Sequence, residues 1–116
     1  MEENKIMEGG VGSYGLFAFG LIRQLKPKTV LEVGLGEGAM AAKLIIKALL
    51  LNKTDGYEGK YFVIDKYPTQ EGLDVLKTSE NLATLIVGDS KTPGIYRDKL
   101  KAQADIVFID GCHLFQ

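Results

Sequence analysis

The sequence predicts an α/β domain whose parallel sheet is covered by helices on both faces. Two observations lead there. Four short apolar runs, within "KTVLEVG", "YFVID", "ATLIVGD" and "ADIVFID", lack the polar alternation of a half-exposed strand. Between them lie segments rich in helix formers, so strands and helices alternate and three crossovers join four parallel strands.

Each element has its own signals. In "SYGLFAFGLIRQLKP", Ser13 is placed to cap a helix whose Leu16, Phe19, Ile22 and Leu25 recur at helical spacing until Pro27 stops it. "KTVLEVG" is a short β-branched strand closed by glycine. "AMAAKLIIKALLLN" follows as a helix, with Lys43 and Lys47 one turn apart on a polar edge. The turn-rich "NKTDGYEGK" delivers the chain to the second strand, "YFVID". "TQEGLDVLKTSEN" then reads as a helix leading into "ATLIVGD", and "GIYRDKLKAQ" as a helix leading into "ADIVFID".

The bulk numbers exclude several classes. A chain of 116 residues suits one domain, large enough for an apolar core without disulfides or a structural metal. With a net charge of -1 and no basic run, it lacks the electrostatic footprint of a nucleic-acid binder. The single cysteine, Cys112, rules out an internal disulfide framework and fits a reducing cytoplasm. "VGSYGLFAFGLI" is preceded by Glu2, Glu3 and Glu8 where a signal peptide needs positive charge. No apolar run approaches the roughly 20 residues that span a bilayer, so a soluble cytoplasmic protein is expected, without a membrane partner.

Ligands of such sheets gather beyond the carboxyl ends of the strands. The residues there are Glu32 with the glycines of "VLEVGLGEGAM", then Asp65, Asp89 and Asp110. Gly34, Gly36 and Gly38 let a ligand lie against the backbone. Gly34, Gly36 and Ala39 also satisfy a loose dinucleotide fingerprint, so an NAD-dependent oxidoreductase is one alternative. Glu37 opposes it, because it stands where a pyrophosphate would bind and no basic residue follows before Lys43. The acidic strand ends suit instead a metal or a phosphate-free cation such as S-adenosylmethionine, which carries a sulfonium and an ammonium against one carboxylate. Neither GxxxxGK[ST] nor GxSxG occurs, which removes the P-loop and hydrolase-elbow readings.

"VLEVGLGEG" followed by "YFVID", "LIVGDS" and "IVFIDGCH" resembles the N-terminal half of class I S-adenosylmethionine-dependent methyltransferases. The nearest branch has a fourth strand ending in Asp-Gly-x-His, and the resemblance runs from about residue 25 to residue 113. It implies a Rossmann-like sheet with strand order 3-2-1-4 and a cofactor held by Glu32, Gly34, Leu35, Gly36, Gly38, Asp65, Asp89 and Ser90. Glu32 and the backbone at Gly34 and Gly36 would take the methionine portion. Asp65 would accept from both ribose hydroxyls, its alternative being a turn-starting aspartate. Asp89 and Ser90 would meet the adenine, their alternative being a helix cap.

The same resemblance implies that Asp110 is a magnesium ligand and that His113 is a general base, acting on a hydroxyl of a small-molecule methyl acceptor. A solvated histidine near a chain end is the alternative for His113. One aspartate is a poor magnesium site by itself, since that ion takes six oxygen ligands. The family's sheet has seven strands and four are read here, so "DIVFID" would be an apolar edge. The chain is therefore expected to be the N-terminal part of a longer methyltransferase, or to cover this edge with a second subunit. A cofactor-binding fragment without turnover is the remaining alternative.

Overall fold

The computed structural model describes residues 11–35, 39–89, 91–92, 94 and 103–109. Its elements are α1 (Val11–Leu25), β1 (Thr29–Val33), α2 (Met40–Thr54), β2 (Lys60–Asp65), α3 (Gln70–Lys77), β3 (Ala83–Val87) and β4 (Ile106–Ile109). All neighbouring strands pair in parallel, in the order β3-β2-β1-β4. This is the expected Rossmann-like order. The helix expected over residues 94–103 falls almost wholly outside the described residues.

The strands divide their side chains between two faces. Val30, Tyr61, Val63, Ile106 and Phe108 join the main core with Ala18, Ile22, Ile45, Leu49 and Val75 from the three described helices. Leu31, Ile64 and Ile86 form a smaller buried cluster on the opposite face. β4 is an edge among the described residues, with Val107 and Ile109 exposed.

α1 differs from its sequence reading in two ways. It already includes Ser13, which lies inside the helix rather than capping it. The apolar stripe is also rotated: Leu16 and Leu25 are 59% and 58% exposed, while Gly15, Ala18 and Ile22 are buried. Close packing explains the rotation, because a Cβ on Gly15 would stand 2.7 Å from Leu44 Cδ1 on α2. Small residues bring the two helices together, and larger ones are left on the outer side. α1 ends as read, with Lys26 in a left-handed conformation before Pro27.

The remaining boundaries have local causes. α3 begins at Thr69, whose hydroxyl accepts from the Gly72 amide at 3.0 Å. It stops at Lys77 rather than running to Asn81, because Glu80 and Asn81 turn left-handed ahead of β3. At the amino edge of the sheet, Asp105 Oδ2 accepts from the amides of Lys28 and Thr29 at 2.8 and 3.2 Å, tying the entry to β4 to the start of β1. Arg23 on α1 donates to Asn52 and Asp55 at 2.7 and 3.0 Å, and Asn52 donates back to the Ile22 carbonyl. That edge is therefore occupied by structural polar contacts, and the residues expected to bind a ligand lie at the other end of the strands.

Candidate functional site

The carboxyl ends of β1 and β2 are joined through their acids and their backbone. Gly34, just after β1, has φ of 93°, a conformation that glycine adopts without strain. Its amide donates to the Ile64 carbonyl at 2.8 Å, extending the pairing with β2 by one residue. The next amide, that of Leu35, donates to Asp65 Oδ2 at 2.8 Å, while Asp65 Oδ1 accepts from the Tyr67 amide at the same distance. The Leu35 side chain is buried under the first turn of α3, where a Cβ on Gly72 would meet its Cδ2 at 2.7 Å. The glycine turn is thus pinned on one side by a carboxylate and on the other by packing.

Glu32 occupies a different setting. It is fully buried on the side of the sheet that faces α1. Its Oε2 accepts from the Tyr14 hydroxyl at 2.8 Å, and its Oε1 accepts from the Tyr61 hydroxyl. An uncompensated carboxylate would be costly at this depth, and the two phenols supply donors from α1 and from β2. The Tyr14 ring also lies edge-on to Phe108 of β4, with centroids 5.7 Å apart. Sequence reasoning singled out Glu32 but missed both tyrosines. The available signal was an acid inside an apolar strand, which requires donors nearby, with Tyr61 in the adjacent strand a candidate.

Asp89, beyond β3, stands in the open. Its Oδ1 accepts from the Lys91 amide at 2.9 Å and its backbone carbonyl from the Thr92 amide at 2.9 Å, which makes a local turn. Lys66 Nζ lies 3.6 Å from its Oδ2 and 5.7 Å from the exposed ring of Tyr67. The Lys91 amide holds the Asp89 carboxyl below the ordinary aspartate range against the opposing effect of desolvation, and the Lys66 ammonium acts in the same direction as the amide. The Gly88 amide donates to the Asp65 carbonyl at 3.0 Å, so the ends of β2 and β3 are also joined. Lys66 and Tyr67 were not singled out by sequence reasoning, being ordinary turn residues by type.

The structure therefore brings Leu35 into direct contact with Asp65 beside Gly34, and connects the Asp89 turn to them through backbone. Glu32 lies close by but buried. Gly36, Gly38, Ser90, Asp110 and His113 lie outside the described residues, as does Glu37. Among the described residues, no three His, Cys, Asp or Glu side chains converge as metal ligands. No described helix is long and apolar enough to cross a membrane.

Among the described residues, the Asp65 carboxylate has the acceptor capacity to suit a pair of ribose hydroxyls such as those of S-adenosylmethionine. Each Asp65 oxygen accepts one amide and has a second lone pair for a hydroxyl.

No protein-family profile matches the sequence, and no curated protein matches it. Solved structures do. The apo structure of CmcI-N160 superimposes with a TM-score of 0.59 at 19% identity, over 85% of this chain and 40% of that one. The O-methyltransferase TomG from Streptomyces achromogenes, involved in tomaymycin synthesis and solved in complex with SAM, gives a TM-score of 0.61 at 19% identity, over 86% of this chain and 44% of TomG. The chain thus spans about two fifths of the length of each. At this identity the likeness is one of fold: the chain has the Rossmann-like α/β fold that these structures share with it.

Proposed function

We propose that this chain is a S-adenosylmethionine-binding methyltransferase domain that serves O-methyl transfer to a small molecule. The observation that carries this reading is the junction of Asp65 with the glycine turn. A carboxylate at the end of β2 grips the backbone that follows β1 and presents its outer lone pairs to the space beyond the sheet. The shared fold of a SAM-bound O-methyltransferase supports it.

In this reading Asp65 accepts from the ribose hydroxyls, and Gly34 and Leu35 line the methionine end with Gly36 and Gly38. Glu32, buried with both oxygens held by tyrosines, would act on the ammonium through water or through its field. Asp89 with Ser90 takes the adenine edge, for which Asp89 must share its oxygens with Lys66 and Lys91. When bound, the cofactor supplies an electrophilic methyl group on its sulfonium. The protein's part would be to position that methyl group against the acceptor oxygen, and such positioning supplies much of the rate. His113 would take the acceptor's hydroxyl proton as the oxygen–carbon bond forms and the sulfonium–carbon bond breaks, with S-adenosylhomocysteine as the leaving group. Asp110 would be a ligand of a magnesium ion. The exposed Val107 and Ile109 on β4 suit cover by further chain or by a second subunit.

Calorimetric titration with S-adenosylhomocysteine and with NAD tests the cofactor assignment. S-adenosylhomocysteine should bind, and Asp65→Ala should weaken it by about tenfold or more, the worth of a charge-assisted hydrogen bond. Tight NAD binding, or S-adenosylhomocysteine binding indifferent to the substitution, overturns it. Cofactor binding with no methyl transfer to any hydroxyl acceptor would leave only a non-catalytic binding module.

A further inference from the structure

Glu32 poses a question that cofactor binding alone does not answer. A carboxylate meant only to meet a ligand could stand at the strand end, as Asp65 does, yet Glu32 is 0% exposed with a phenol on each oxygen. The two donors come from separate elements. Tyr61 is the second residue of β2 and faces the main core, so its position is set by the sheet. Tyr14 is in the first turn of α1, so its position depends on how that helix packs against α2 and, through Phe108, against β4. Both oxygens of Glu32 are therefore oriented by groups that a ligand would not need to touch.

We propose that Tyr14 and Tyr61 are positioning residues for the amino-acid end of the cofactor. By fixing the buried Glu32 carboxylate they orient its field toward an ammonium held at the glycine turn, without direct contact, and through Tyr14 they make cofactor affinity depend on the docking of α1. The idea rests on the cofactor reading given above. Its distinctive consequence is selectivity within one ligand. Loss of a phenol hydroxyl should weaken the hold on the amino-acid portion and leave the nucleoside portion untouched, because Asp65 is held by the Leu35 and Tyr67 amides and Asp89 by the Lys91 amide and Lys66.

The test compares S-adenosylhomocysteine with 5′-methylthioadenosine, which keeps the nucleoside and lacks the amino-acid group, by calorimetry on wild type, Tyr14→Phe and Tyr61→Phe. Phenylalanine keeps each ring in place, and urea denaturation checks that each variant folds. Each substitution should weaken S-adenosylhomocysteine by about tenfold, the worth of a hydrogen bond to a charged group, and change 5′-methylthioadenosine by less than about twofold. Equal weakening of both ligands, or no weakening of either, would make the tyrosines structural supports and overturn the proposal. If wild type binds neither ligand, the cofactor reading itself has failed. If wild type binds both and only the selectivity is missing, the cofactor reading stands and this proposal falls.

Discussion

β1 and β3 each carry one acid at or near the carboxyl end, and the two acids live in opposite surroundings. Glu32 is buried, with both oxygens engaged by tyrosines from other elements. Asp89 is part-exposed, and its partners are an amide two residues away and the ammonium of Lys66 across the strand ends. Asp65 lies between them in space and in character, half-buried and accepting one amide per oxygen. Position at a strand end makes an acid available to a ligand, but its depth decides what else it must do. At β1 the acid is part of the core, whereas at β3 it organises only its own turn.

This contrast predicts very different costs for losing each acid. Glu32→Leu withdraws a shared acceptor from two phenols in or near the core and should destabilise the fold by about 3 kcal/mol in urea denaturation. A loss well under 1 kcal/mol would mean that the tyrosines find equivalent partners and that Glu32 is not a structural hub. At the other end, Lys66→Ala should leave stability nearly unchanged, as removal of an exposed ion pair does. Its effect should appear in titration instead. The Asp89 carboxyl is depressed on folding, so its contribution to stability is full above its unfolded value and lost as pH falls through the folded one. Removing the ammonium should move the Asp89 carboxyl to titrate at higher pH, read by carbon-detected NMR. The shift should be modest, because the Lys91 amide has the larger part in the depression.

Much of the fold was legible because parallel strands buried on both faces carry a strong signal. The continuous apolar runs ending at Gly34, Asp65 and Asp89 marked the strands, and the resemblance supplied the order β3-β2-β1-β4. What failed was the rotation of α1. Periodicity favoured the large residues Leu16 and Leu25, whereas helix packing selected Gly15 and Ala18 for their small size. Size at an interface depends on the opposing side chain, here Leu44, which no local pattern reveals. At the site, residue type located Glu32, Asp65 and Asp89 but could not separate the buried acid from the exposed one. The tyrosines escaped notice for the same reason: Tyr14 precedes Glu32 by 18 residues and meets it only once α1 is docked.

The central claim is that the cofactor lies across the carboxyl ends of β1, β2 and β3. Backbone amide chemical-shift mapping on addition of S-adenosylhomocysteine tests it most directly. The account predicts the largest changes at Gly34, Leu35, Lys66, Tyr67 and Gly88, with little change at the amino edge around Lys28, Asp55 and Asp105. Changes centred on that opposite edge, or none at saturating ligand, would contradict it.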